Sequence, residues 1–357
     1  MRKLGRFVID THVHSQRHAA GSHLKDKKKE TGKKGDFDYI DLESQMAAIT
    51  TFDNSPRLLY DMDCYGVDMC ILQCAFGMNN DLNLELVEKY PDKFRAMAFA
   101  KTTMDAILAG EKEWDMKDAI EELDALLATG KFCAIGEGAP AIPESAVNAL
   151  RHSYSMSERM DELRLVMDLG RKHKVPVTMH TGGPGGYPIT HSRWPENWHP
   201  YWVMDLAAEY PDVNIIFSHG GMQGGYITDL VEQCLNVASN FNNVYLETGL
   251  YWTDLYCEAL RYPNVGPEKL VWGTDWGASI PTQTRIGQYP QSFGMQVHNQ
   301  GIIRHQCDVM GWSLKQIERL DISQDDMNLI LGGNALNIFK INYPLTRMFK
   351  GLPNVGR

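Results

Sequence analysis

Two histidines near the start of the chain have a spacing suited to metal chemistry. The first apolar run begins at Phe7 and ends in Asp10-Thr11-His12-Val13-His14. Side chains two residues apart in an extended strand point to the same face, so one cation could reach both His12 and His14. Neutral imidazoles bind Zn²⁺ and related divalent ions, and a catalytic site needs about three protein ligands with a position left open for water. Two close histidines also occur without a metal, so the pair alone is a weak indication.

Three further polar residues follow apolar runs in the same way. His180 ends the run VPVTMH, His219 ends NIIFSH, and Asp275 lies in WGTDW after the last run. Each comes directly after a predicted buried strand and before a glycine turn, as is typical of residues at the catalytic rim of a barrel. The pattern favours one shared site. Satisfied core histidines with a strand-capping aspartate are the structural alternative.

The elements that must position these residues are short apolar runs rich in Val, Ile and Phe, separated by stretches with helical periodicity. The runs begin at Phe7, Val67, Phe94, Phe132, Val175, Val213, Asn243 and Lys269. Strands that alternate with helices predict a parallel sheet, and about eight such units predict an α/β fold, a (β/α)8 TIM barrel. We expect residues 1–357 to form one domain. Residues 15–56 and 278–323 exceed the minimal unit and follow the first and last strands, which predicts rim or lid loops.

Composition narrows the class of protein. The chain has 357 residues, with 35 Lys and Arg against 45 Asp and Glu and a formal charge of −10, which argues against nucleic acid as a partner and favours a small-molecule substrate. We expect no membrane span, because no stretch approaches about 20 apolar residues, and we interpret the N-terminal run as a strand and not as a signal peptide. The 7 cysteines include no CxxC pair, which predicts reduced thiols in the cytoplasm.

These motifs resemble the amidohydrolase superfamily, and within it the amidohydrolase-related branch that contains aminocarboxymuconate semialdehyde decarboxylase and the resorcylate decarboxylases. The resemblance extends from DTHVH to GGNALNIFKI and rests on the order HxH, His, His, Asp. It implies a (β/α)8 barrel that holds one or two divalent cations, commonly zinc or manganese. It also implies that His12, His14, His180 and Asp275 are metal ligands and that His219 is a catalytic histidine.

Glu137 bears on which branch of that superfamily the chain resembles. It ends the run Ala134-Ile135-Gly136-Glu137, where many hydrolases of the superfamily place a carboxylate or a modified lysine that binds metal. The related decarboxylases lack a carboxylate there and tend to follow the fifth-strand histidine with proline, whereas this chain has His180-Thr181-Gly182. Both departures favour a hydrolase with Glu137 at the metal. A capping or salt-bridged Glu137 is the alternative.

Several aromatic and basic residues near the predicted rim are candidates for substrate binding. They are Trp194, Tyr251, Trp252, Trp276, Arg17, His18, Arg57 and Arg285. Aromatic side chains can form the walls of a pocket for a flat ring, and cationic side chains can hold a carboxylate or an enolate. For any single residue, core packing or a surface salt bridge is the alternative.

Together these inferences predict a metal-dependent hydrolase that is a homodimer or a higher homo-oligomer. A bound divalent ion lowers the pKa of its water from about 15.7 toward about 7. Asp275 would take the proton of that water and His219 would polarise a carbonyl. The expected substrate is a small cyclic lactone, amide or ring ketone such as a 1,3-dione, opened at a C–O, C–N or C–C bond. The alternatives are non-oxidative decarboxylation of an aromatic or muconate-type acid, and a barrel that binds metal or ligand without catalysis.

Overall fold

A computed structural model describes most of the predicted strands and the helices between them. The residues it describes are 4–15, 17–18, 52–53, 55–74, 80–108, 111–113, 115–136, 156–181, 200–222, 228–277 and 309–342. Predictions for Glu137, Trp194 and Arg285, and for most of 15–56 and 278–308, lie outside these residues.

The strands that the structure describes form one large sheet and one small one. The strands are β1 (Ile9–Val13), β2 (Arg17–His18), β3 (Phe52–Asp53), β4 (Met69–Leu72), β5 (Phe94–Ala98), β6 (Phe132–Ile135), β7 (Val177–His180), β8 (Ile215–Ser218), β9 (Val244–Glu247) and β10 (Leu270–Val271). Eight of them form a parallel sheet in the order β1-β4-β5-β6-β7-β8-β9-β10. The other two, β2 and β3, pair antiparallel. Sequential order in a parallel sheet is what repeated strand–helix units produce.

Helices connect the strands across the outside of the sheet. They are α1 (Ser55–Tyr65), α2 (Asn80–Lys89), α3 (Lys101–Leu108), α4 (Met116–Ala128), α5 (Met156–His173), α6 (Val203–Glu209), α7 (Thr228–Asn240), α8 (Thr253–Arg261), α9 (Val309–Glu318), α10 (Gln324–Asn328) and α11 (Asn334–Ile338). The segment 278–323, predicted as a loop, therefore contains the helix α9. In the described part of the chain, no helix combines the length and the apolar character needed to cross a membrane.

The two ends of the large sheet meet around β1, which makes the sheet a (β/α)8 barrel. The amide of Thr11 donates to the carbonyl of Trp272, and the amide of His14 donates to the carbonyl of Trp276. Trp276 also forms a parallel bridge with Val13. The register of β1 against β4 shifts between Asp10 and Val13. Such irregularities change the direction of side chains near active sites. This one lies in the segment that contains His12.

Helix α4 illustrates why these residues form helices against the barrel. Asp115 precedes it, and its carboxylate accepts the amide of Lys117, which satisfies one of the free donors of the first turn. Its buried residues are Met116, Ala119, Leu123 and Leu127, whose spacing of three or four places them on one face. That face packs in the apolar layer between the helices and the sheet.

A second apolar cluster is built from barrel strands and the helix α11. It contains Ile9, Met69, Ile71, Met97, Ala134, Ile216 and Val271, together with Ala335 and Ile338 of α11. The strands are buried over nearly their whole length, as expected of a parallel sheet covered by helices. This packing leaves the carboxyl ends of the strands as the place where polar side chains converge. The six described cysteines are free thiols, of which Cys70, Cys74 and Cys234 are buried and Cys64 is exposed.

Candidate metal centre

His12 and His14, on and just after β1, bring two ring nitrogens together inside the barrel mouth. Their Nε2 atoms lie 3.0 Å apart, and both residues are at least 98% buried. The other nitrogen of each ring contacts an oxygen of the protein. His12 Nδ1 lies 2.8 Å from Glu247 Oε2, and His14 Nδ1 lies 3.3 Å from the carbonyl oxygen of Gln73.

These contacts decide which ring nitrogen carries the proton in a neutral imidazole. A carbonyl oxygen can only accept, so the proton of His14 is on Nδ1. The oxygen of Glu247 already accepts the amide of His219, so His12 Nδ1 also donates to it. Both Nε2 atoms then present lone pairs to each other at 3.0 Å and cannot bond directly. A divalent cation fits this donor set, because neutral imidazole lone pairs are good ligands for zinc and manganese.

Asp275 supplies a carboxylate to the same point. It follows β10, and its Oδ1 lies 3.1 Å from His14 Nε2 and 3.5 Å from His12 Nε2. Burial alone would raise the pKa of this carboxyl. Without a cation, a hydrogen bond from His14 and the charges that His12 and His219 carry when protonated outweigh burial and hold the pKa of Asp275 below its usual value. The group is therefore ionised at neutral pH and can bind a cation or accept a proton.

His219 lies in a tight turn directly after β8. Its φ is 62°, and Gly220 and Gly221 continue the left-handed turn with φ of 50° and 88°. Only glycine adopts this region without strain, so His219 must be held there by its surroundings. The amide of His219 donates to Glu247, and the carbonyl of Gly220 accepts the hydroxyl of Tyr251 at 2.8 Å. These bonds hold the backbone of the turn in place.

The histidines lie in mutual contact around the candidate metal position. The ring centres of His12 and His219 are 4.8 Å apart, and those of His180 and His219 are 5.0 Å apart. His180 is the last residue of β7 and is half-buried. His12, His219 and Asp275 offer ligand atoms that all lie within 4.8 Å of one another. His219 is therefore close enough to bind the cation itself or to act beside it.

Glu247 and Asp10 belong to this centre, and the sequence reasoning missed Glu247 as a site residue. Glu247 ends β9 in the run YLETG, which is the same pattern of a polar residue between a buried strand and a glycine that identified His180 and His219. That signal, applied to every strand, would have found it. Asp10 accepts the amide of His12 and the hydroxyl of Thr274. Burial raises the pKa of Asp10 to about 8, although both bonds lower it.

Three of the substrate-binding candidates make structural contacts in the described residues. Tyr251 is fully buried and donates to the turn after β8. Trp276 is fully buried, and its indole nitrogen donates to Asp61 Oδ2 at 3.0 Å. Arg57 Nε donates to the other oxygen of Asp61 at 2.7 Å, while its side chain is 45% exposed. The interpretation of these residues as substrate contacts stays a prediction.

The remaining candidates are placed less completely. Trp252 is half-buried against the apolar layer and precedes α8. Arg17 and His18 form β2, and their side chains lie outside the described part of the chain. Glu137, Trp194 and Arg285 lie outside it altogether. Their assignments stay predictions.

Solved structures with the same architecture include hydrolases and a decarboxylase. A probable 2-pyrone-4,6-dicarboxylic acid hydrolase from Acinetobacter baumannii, with citric acid bound, is 14% identical, has a TM-score of 0.51 and matches 94% of this chain and 99% of its own. A 5-carboxyvanillate decarboxylase from Novosphingobium aromaticivorans, with manganese and 3-methoxy-4-hydroxy-5-nitrobenzoic acid bound, is 13% identical, with a TM-score of 0.53 and coverage of 94% and 97%. An amidohydrolase from Burkholderia multivorans with bound zinc is 13% identical, with a TM-score of 0.51 and coverage of 94% and 100%. At these identities the likeness concerns the fold.

Sequence comparison identifies the family. No curated protein matches the chain significantly. The sequence profile described as amidohydrolase matches residues 9–341, which include the proposed metal ligands from β1 to Asp275. The matched region begins at the first strand of the barrel and ends just after α11. The chain therefore belongs to the amidohydrolase family.

Proposed function

We propose that the protein is a divalent-metal-dependent hydrolase that directs water to a carbonyl of a small cyclic substrate. The observation that carries the proposal is the pair of Nε2 lone pairs of His12 and His14, 3.0 Å apart, with Asp275 Oδ1 within 3.5 Å of both. Three buried donors at one point, with His180 and His219 beside them, are the ligand chemistry of a catalytic divalent ion. Zinc and manganese are the proposed metals, as in two proteins of similar fold.

The cation would be held by His12, His14 and Asp275, with His180 or His219 completing the set. When bound, it supplies Lewis acidity to a carbonyl oxygen and lowers the pKa of coordinated water from about 15.7 toward about 7. Asp275 is ionised, so it can take a proton from the attacking water and return it to the leaving atom as the ring opens. His219, fixed by its turn, can polarise the carbonyl or stabilise the developing oxyanion.

The proposed substrates are cyclic lactones, amides and ring ketones such as 1,3-diones. In each case water adds to the carbonyl carbon, the ring bond to oxygen, nitrogen or carbon breaks, and the leaving atom is protonated. An enolate leaving group makes cleavage of the carbon–carbon bond accessible without another cofactor. The similarity in fold to a probable pyrone-dicarboxylic acid hydrolase supports the lactone class among these.

A second candidate is non-oxidative decarboxylation of an aromatic or muconate-type acid. The similarity in fold to a manganese-bound carboxyvanillate decarboxylase favours it. The same histidines and Asp275 could hold the metal while the substrate carboxylate is positioned and a ring carbon is protonated. A homodimeric or higher homo-oligomeric state and a cytoplasmic location belong to both proposals as predictions.

The test is turnover by purified protein loaded with Zn²⁺ or Mn²⁺. One panel contains cyclic lactones, cyclic amides and cyclic 1,3-diones, and the other contains hydroxybenzoates. Ring-opened product without CO2, lost on chelation of the metal, supports the hydrolase. Release of CO2 with the ring intact would contradict it and favour the decarboxylase. Purified protein that binds no stoichiometric divalent ion would contradict both the hydrolase and the decarboxylase proposals.

A further inference from the structure

We infer that Glu247 is a positioning residue that couples the metal ligand His12 to the histidine His219. A single oxygen of its carboxylate, Oε2, lies 2.8 Å from His12 Nδ1 and 2.9 Å from the backbone nitrogen of His219. The residue is 1% exposed, so water does not compete for these bonds. The inference rests on the proposed function, because it gives Glu247 a role through a residue that binds metal.

The first part of this role is the choice of tautomer at His12. Oε2 accepts the amide of His219, so it is an acceptor, and the ring proton of His12 must be on Nδ1 to bond with it. This choice leaves the lone pair on Nε2, which faces His14 Nε2 and Asp275. Without an acceptor at Nδ1, the His12 proton could move to Nε2 and block the metal position. A carboxylate partner also raises the basicity of the ligating ring.

The second part is the backbone of His219. Its φ of 62° is unfavourable for a residue with a β-carbon and persists only if the surroundings impose it. The bond from its amide to Glu247 is one such constraint, and the bond from Tyr251 to the next carbonyl is another. Because the two histidines share one oxygen of Glu247, the distance between the metal ligand and His219 is set by one side chain.

The second oxygen of Glu247 lies in a recess formed by glycines. Oε1 has no hydrogen-bond partner among the residues that the structure describes. A methyl group at Gly249 would come within 2.7 Å of Oε1, and one at Gly273 would overlap it. Neither glycine has the left-handed φ that would explain its presence. The carboxylate of Glu247 therefore explains why both positions are glycine: any side chain there would occupy its space.

The test measures metal affinity and the His12 tautomer in three variants of the full chain. Glu247→Gln keeps the shape and an oxygen that can accept both N–H groups, but it removes the charge. Glu247→Ala removes the acceptor. Gly249→Ala keeps the carboxylate and displaces it. Binding of Zn²⁺ and of Mn²⁺ is measured by competition with a chelating dye, and the tautomer is read from ¹⁵N chemical shifts of histidine in the metal-free protein.

We expect the metal affinity to fall about 10-fold in Glu247→Gln and about 100-fold in Glu247→Ala, the range typical of residues that orient a metal ligand. Gly249→Ala should lie near Glu247→Gln. In the metal-free wild type, His12 should show a proton on Nδ1, and Glu247→Ala should show a mixture of tautomers. Tighter metal binding by Glu247→Gln than by Glu247→Ala indicates orientation, because loss of charge alone would affect both variants equally.

The matched control lies at the other end of the same strand. Asn243 directly precedes β9, is 6% exposed and donates to the carbonyls of Ala207, Tyr210 and Val213. Asn243→Ala should lower the melting temperature and leave metal affinity and the His12 tautomer unchanged. Wild-type affinity in the Glu247 variants would overturn the inference. Wild-type protein without metal uptake would overturn the proposed function, and the tautomer of the metal-free protein would still decide whether Glu247 orients His12.

Discussion

The two ends of the barrel use their polar side chains differently. At the amino ends of the strands, polar side chains donate to backbone carbonyls. Asn334 donates to the carbonyls of Pro267 and Leu270, and Lys269 donates to those of Phe241, Asn242 and Val244. At the carboxyl ends, Tyr251 also donates to a carbonyl, but the side chains of the candidate metal centre face one another. His12, His14 and Asp275 bring two lone pairs and a carboxylate to one point.

This difference separates stability from chemistry within one fold. A side chain that donates to a buried carbonyl removes the free-energy cost of leaving that carbonyl without a hydrogen bond. The polar side chains at the amino end therefore stabilise the barrel. A cluster of acceptors and lone pairs adds no such bonds unless a cation enters. Of the five non-glycine residues with positive φ in the described part of the chain, two lie at the site: His219 and Asp275, with φ of 62° and 57°. Strain at two proposed catalytic residues indicates a pre-arranged site.

The largest effect that would test this separation is expected for Asp275→Asn. The amide keeps the size of the side chain and removes the ionised carboxylate that accepts a proton. Turnover should fall by about 10²- to 10⁴-fold, the usual contribution of a general base. The measurement is kcat on the substrate found in the panels, with circular dichroism to show that the fold is intact. Activity near that of wild type would show that Asp275 is not the base.

Metal binding should stabilise the wild type through the carboxyl end alone. A ligand that binds only the folded state adds about 2.7 kcal/mol at 100 times its Kd. Added Zn²⁺ or Mn²⁺ should therefore raise the melting temperature of the wild type by several degrees. His14→Ala removes one donor of the set and should lose most of that rise. An equal rise in His14→Ala would place the cation elsewhere.

The sequence predicted the barrel and the convergence of the candidate site residues because both follow local rules. Eight apolar runs gave eight strands in sequential order, and a polar residue after each of several strands identified His12, His14, His180, His219 and Asp275. The carboxyl ends of parallel strands meet at one face, so local position was enough to predict convergence. The structure brings the four histidines and Asp275 into contact.

Pairings between distant residues could not be predicted in this way. Asp61 lies on α1 and looks like any acidic helix residue, yet it accepts a hydrogen bond from the indole of Trp276, 215 positions away. Glu247 carried the right local pattern, but its partner His12 is 235 positions away. The bond depends on the curvature that brings β9 near β1. The helix α9 within 278–323 was missed because the composition of that segment favoured a loop.

Asn334→Ala would test the amino end with a moderate effect on stability. The side chain is 6% exposed, and its amide nitrogen donates at 2.8 Å to two carbonyls. Removing a donor from buried carbonyls costs about 1–3 kcal/mol. We expect a loss of that size in urea unfolding, with unchanged metal affinity. Weaker metal binding in this variant would mean that the two ends of the barrel are coupled.

The smallest effect is expected from Lys269, also at the amino end, and it appears as a pH dependence. Burial lowers the pKa of this half-buried ammonium from 10.5 to about 8, while in the unfolded chain it keeps the ordinary value. Between pH 8 and pH 10.5 the unfolded state therefore binds more protons than the folded state. The free energy of unfolding should rise with pH over this range. One proton limits the slope to about 1.4 kcal/mol per pH unit, and solvent screening of the exposed part reduces it further. Lys269→Met should lose this component, so the stability difference between wild type and variant should grow from pH 8 to pH 9.5. A difference that is constant over this range would show that the pKa of Lys269 is not lowered on folding. The carbonyls of Phe241, Asn242 and Val244 would then stabilise the charged ammonium as well as water does.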